Sequence, residues 1–266
     1  ITGVIKAKKG LETSKQTRIT NFINSGAISG SDDQGINFAY SILTNFINTG
    51  MIKGNSKEGV FFNNSRVSIF YNSGTIKNSS KEAVNFTKNS NTIKNFFNKN
   101  AIEGTTSGVF LSGNTIETLI NTGTIKSATG ALHLTKASRI TTVFNTGLIQ
   151  NTSDSAIALY ENSSITNLIN TGTIESQRSN DRNADIIAIS LNKSQGSIQT
   201  LINSGTLKSA NHGILAESGN KIGTLINKGT IEAKLDGISF YDLSPLNKDA
   251  SIGQIILEEG SSIDAG

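Results

Sequence analysis

The chain has 266 residues, of which only 35% are hydrophobic and 6% aromatic, lean for the core of an ordinary globule. It contains no Cys, which excludes disulfide bridges, thiolate metal sites, iron–sulfur clusters and cysteine nucleophiles. The net charge of +4 is small and scattered, unlike the basic clusters of a nucleic-acid track, and no apolar run reaches the ~20 residues of a membrane helix.

In chain order the first recurring element is Asn24-Ser-Gly26-Ala-Ile28, followed by Asn48-Thr-Gly50-Met-Ile52, Asn72-Ser-Gly74-Thr-Ile76 and Asn98-Lys-Asn100-Ala-Ile102. It continues at Asn121, Asn145, Asn170, Asn203 and Asn227, with successive Asn spacings of 24, 24, 26, 23, 24, 25, 33 and 24. A period of this size means stacked units. Five residues before each Asn stands an Ile, Leu or Val, and two apolar residues immediately precede it, as in Leu43/Phe46/Ile47 and Ile116/Leu119/Ile120. About eleven residues after most Asn comes a small residue and then apolar-x-apolar: Gly59-Val-Phe-Phe62, Ala83-Val-Asn-Phe86, Gly108-Val-Phe-Leu111.

Each period is thus three short segments rich in Ile, Val, Phe and Thr between Gly/Asn/Ser turns, which favours strands over helices. Three strands per ~24 residues make one coil of a right-handed parallel β-helix, all-β, with about ten coils. Stacking places Ile on Ile inside and aligns the Asn amides into a ladder. The glycines two positions after Asn are expected at positive φ, with Asn100 as the next best residue there. Residues 1–266 read as a single β-helix, a piece of a longer chain that begins without Met. Two links are longer than the rest, at 175–187 and 241–251. The last coil drifts, with Leu257 in place of Asn and Glu259 in place of Gly.

Chemistry-bearing residues are sparse. His133 falls at an outward strand position and His212 at a turn, with no His/Cys cluster or regular carboxylate spacing to make a metal site. Asp32-Asp33 and Glu258-Glu259 have no supporting neighbours for acid–base work. No phosphate-binding glycine loop or serine nucleophile elbow occurs. The expectation is a chain that is not an enzyme and takes no cofactor. Binding would then reside in outward columns. On the third strand of four consecutive coils the outward residues are Phe61, Asn85, Phe110 and His133. Of the two apolar residues before Asn, alternation lets one point inward, so Phe22, Phe46, Phe70, Phe96 and Leu119 are assigned to the core. The other column, including Tyr71 and Phe97, becomes an exposed strip.

The Asn-x-Gly-Thr-Ile repeat, with a Gly-[Ile/Val]-x-[Leu/Phe] strand between copies, resembles the passenger domains of bacterial autotransporters (type V secretion). A more distant likeness is to adhesins of the filamentous-haemagglutinin type. The resemblance implies a cell-surface or extracellular virulence rod, exported through the periplasm and tethered by a C-terminal outer-membrane β-barrel. It implies adhesion to a host receptor or glycan, or self-association with neighbouring passengers, and no nucleic-acid partner. The alternatives are a vacuolating-toxin-like passenger that oligomerises on host membranes, and below it a β-helical polysaccharide lyase or hydrolase.

Overall fold

A computed structural model describes residues 1–87, 92–177, 187–191, 195–217, 219–241 and 249–266. The three segments of each period form strands that stack, coil on coil, into three parallel sheets. The tetrad sheet, built from the segments after each Asn-x-Gly turn, has eleven strands from Val4–Ala7 to Ser262–Ala265. The middle sheet has ten, from Leu11–Thr13 to Ile238–Tyr241, and the ladder sheet ten, from Arg18–Asn24 to Ser251–Leu257. The architecture is an all-β parallel solenoid, without a helix among the described residues. The longer links fall largely outside the described residues.

Register puts like residues over like. In the tetrad sheet Ile52, Ile76, Ile102 and Ile125 stack in one column, each fully buried. The ladder strand contributes two apolar core positions, Leu43 and Phe46 in the second coil. These are three residues apart rather than two, and the interstrand pairing skips Thr44, so the strand bends there and alternation restarts. Phe46, Phe70 and Phe96 are buried while Ile47, Tyr71 and Phe97 are partly exposed, as the alternation argument requires.

The coils from Phe22 to Phe96 carry two ring stacks. Phe46 stacks on Phe70 at 4.7 Å and Phe70 on Phe96 at 4.3 Å, while Phe62 stacks on Phe86 at 4.7 Å. Across the core the two stacks meet edge to face, Phe46 against Phe62 at 5.8 Å. Both are favoured aromatic geometries.

The Asn ladder runs unbroken through nine coils. Asn24 Nδ2 donates to Asn48 Oδ1 at 2.8 Å, and the same bond repeats at 2.8–2.9 Å up to Asn203 on Asn227. All nine side chains have no exposed surface. Leu257 follows Asn227 in register and ends the ladder. The turn beyond Leu257 holds four residues instead of two, since Ser262, not Gly260, stacks on Thr230. Gly260 there has a φ of +82°.

The glycines of the repeat correct the expectation placed on them. Only Gly113, Gly219 and Gly260 have positive φ, so the repeat glycines are not left-handed. Their constraint is space. A Cβ on Gly50 would lie 2.0 Å from the carbonyl oxygen of Gly26, and one on Gly74 2.0 Å from that of Gly50. Asn100 carries a Cβ at this position, and the coil opens to admit it. The Ala101 N–H reaches the Gly74 carbonyl at 3.3 Å, where Met51 reaches Gly26 and Thr75 reaches Gly50 at 2.8 Å.

Candidate interaction surfaces

In the middle strands from Ile36–Ala39 onward alternate residues face the core and the one between faces the other way. Val60 and Phe62 are buried and Phe61 is partly exposed, while Asn85 at the same position is 6% exposed and Ala158 1%. The register lines these outward residues into a row: Glu12, Asn37, Phe61, Asn85, Phe110, His133. Four residues singled out from the sequence therefore lie on adjacent strands. Phe110 meets His133 edge to face at 5.1 Å, and His133 meets Tyr160 at 5.0 Å. Tyr160 directly follows the Ser155–Leu159 strand, in a column that is Asn63, Thr87, Ser112 and Thr135 in the coils before it, so the repeat pattern does not single it out.

Amides and carboxylates edge this row. Gln34 Nε2 donates to Glu58 Oε2 at 3.1 Å, and Asn37 Nδ2 to Glu12 Oε1 at 2.9 Å. Asn85 Nδ2 reaches Glu58 Oε1 at 3.4 Å and Glu82 Oε2 at 3.5 Å. Thr135 Oγ1 donates to Glu161 Oε2 at 2.7 Å. Among the described residues Glu58, Glu82 and Glu161 have no Lys or Arg in ion-pair range. Gln34 Oε1, Asn37 Oδ1 and Asn85 Oδ1 are buried acceptors that receive no hydrogen bond. Burial pushes the His133 imidazole down to about 4, opposed by the negative charges of Glu82 and Glu161, so it is neutral at pH 7.

Tyr71 and Phe97 belong to a different face. They lie in the outward row of the ladder sheet, with ring centroids 6.4 Å apart and Lys99 Nζ 5.4 Å above the Tyr71 ring. That row is apolar in all ten strands, from Ile23, Ile47 and Tyr71 through Ile120 and Phe144 to Ile256. Ile23 is 49% exposed, and the remaining nine are partly exposed. The columns beside it are polar in most coils, with Asn21, Asn45, Asn95, Thr118 and Thr142 on one side.

Three other titratable residues singled out from the sequence, His212, Asp33 and Glu258, have structural partners. His212 opens the strand His212–Glu217 instead of lying in a turn, and is 6% exposed. Its Nδ1 lies 3.0 Å from Asp236 Oδ2, which also accepts from Ser239 Oγ at 3.1 Å. Asp33 pairs with Lys57 at 3.1 Å and accepts the Gln34 N–H at 3.0 Å; Glu258 pairs with Lys228 at 2.8 Å. Among the described residues no three His, Asp or Glu converge as a metal-ion site.

Fold and surfaces together define a class of protein, the parallel β-solenoid that presents rows of like side chains along its length. Comparisons of the chain with protein-family models, curated proteins and solved structures return no match.

Proposed function

We propose that the chain is the rod of a surface-exposed or secreted bacterial passenger of the autotransporter kind, acting as an adhesin by self-association. The observation that carries this reading is the unbroken apolar row on the ladder sheet. Packing inside the solenoid does not require it, because outward positions of a one-sided sheet ordinarily alternate to polar residues. Ten rows at ~4.8 Å spacing extend the strip over about 43 Å. Two such strips laid face to face bury on the order of 1,000 Å², the lower bound of a specific interface. Neighbouring copies of the rod are the partner that this length matches. The repeat supports export as well, since each coil packs only on its neighbours and folding can propagate as the chain emerges from a pore.

The test is the double variant Tyr71→Ser/Phe97→Ser. Its self-association, followed by sedimentation velocity, and its attachment to cells are expected to weaken about tenfold, while the far-UV circular dichroism stays unchanged. A folded double variant that associates and attaches like the parent would overturn the reading.

A further inference from the structure

We infer that the outward row of the middle sheet is a second, separate binding site, one that takes an extended basic peptide segment through its Lys or Arg side chains. The inference needs neither self-association nor export.

Its chemistry comes from what the row offers. Phe61 and Phe110 present partly exposed rings, whose faces attract cations. Glu58 and Glu82 stand on one edge and Glu161 on the other, none of them neutralised by a Lys or Arg among the described residues. Lys57, beside Glu58, is held by Asp33 instead. A second observation is independent of these charges. Asn85 stands between Phe61 and Phe110 on the outward face, 6% exposed, with its amide nitrogen turned to Glu58 and Glu82 and its Oδ1 left without a donor. Gln34 Oε1 and Asn37 Oδ1 repeat that pattern at 5% and 8% residue exposure. Buried acceptors without donors are costly, and here three of them lie among carboxylates. The surroundings therefore call for a ligand rich in donors and positive charge. Guanidinium and ammonium groups supply both.

The dimensions suit a peptide. From Asn37 to the Ala158 row the site spans five interstrand steps, about 24 Å, which an extended chain of about seven residues covers. A saccharide would also stack on the rings, but it would bring no charge to the three carboxylates.

The experiment titrates the purified chain with a fluorescein-labelled arginine heptapeptide at low salt and reads anisotropy. The parent chain is expected to bind, and binding to fall about tenfold or more in Glu58→Gln/Glu82→Gln and in Phe110→Ser, and with added salt. Glu175→Gln/Glu232→Gln removes the same charge from the tetrad sheet, where Gln150 and Lys208 already engage these carboxylates, and is expected to leave binding within about twofold. Should Phe110→Ser fail to fold by circular dichroism, Phe110→Leu takes its place, keeping the apolar bulk and losing the ring face. No binding by the parent, or equal loss in both Glu pairs, overturns the inference. So does binding of maltoheptaose that depends on Phe110 but not on the carboxylates. Sedimentation of the same samples reports self-association separately, so either reading can fail without the other.

Discussion

Replacing Asn145 by Leu is expected to lower the unfolding free energy by about 3 kcal/mol, read as a shift of the urea midpoint at constant slope. Asn145 is fully buried in the middle of the ladder. Its Oδ1 accepts from Asn121 at 2.8 Å, and its Nδ2 donates to Asn170 Oδ1 at 2.8 Å and to the carbonyls of Gly147 and Thr173 at 3.2 Å. Leu fills the space but orphans Asn170 Oδ1, whose only ladder donor is lost. Asn145→Asp is the sharper variant. At pH 7 its carboxylate would face three oxygens in place of one donor group, at a cost of about 4 kcal/mol or more. Protonation restores a donor, so the native state raises the pKa of the introduced carboxyl above its unfolded value near 4. The native form then binds more protons than the unfolded chain above that value, and the stability of this variant rises as pH falls toward 4. A variant as stable as the parent at pH 7 would show that the ladder contributes little.

Acid acts on the parent chain in the opposite sense, through His133. Its native pKa of about 4 lies below the ordinary histidine value of 6.5, so between these values the unfolded chain binds the extra proton. Stability from this group is complete above pH 6.5 and is lost as pH falls through that range, by up to about 3 kcal/mol at pH 4. His133→Phe keeps an aromatic ring between Phe110 and Tyr160 and removes the proton site. Urea midpoints of this variant between pH 7 and pH 4 are expected to fall less than those of the parent. Parallel pH profiles for the two proteins would contradict the burial of a neutral imidazole.

What the sequence made legible is what stacking repeats. The Ile column, the Asn ladder and the inward assignment of Phe46 over Ile47 all follow from like residues recurring at one position of the coil. The row Phe61, Asn85, Phe110, His133 was legible for the same reason. Glu58 and Glu82 were not. They keep the period, each one residue before Gly59 or Ala83, but they lie in turns, where no inward–outward alternation marks them as edging the row. Tyr160 stands in a column that holds Asn63, Thr87, Ser112 and Thr135 in the coils before it, so the repeat gives no sign of an aromatic there. The bend at Thr44 was hidden too, since nothing in Thr or Asn announces where alternation restarts. The repeat glycines were misread because a glycine needed for φ and one needed for clearance look identical in a sequence. Only the carbonyl of the coil below, 2.0 Å from the missing Cβ of Gly50, distinguishes them. That Tyr71 and Phe97 lie on a different face from Phe61 and Phe110 was legible as well, because they belong to different segments of the coil.

Because the chain has no native thiol, a single introduced cysteine reports which face meets another copy. Ile120 lies near the middle of the apolar strip, and Lys126 faces outward on the tetrad sheet of the same rod. With a short bismaleimide cross-linker Ile120→Cys is expected to form covalent dimers in high yield, because two strips meeting in either direction bring their midpoints within about one coil spacing along the strip, ~4.8 Å, on sheets that face each other across ~10 Å. Lys126→Cys is expected to remain monomeric. Equal cross-linking of the two variants, or cross-linking through Lys126→Cys alone, would contradict self-association through the ladder sheet.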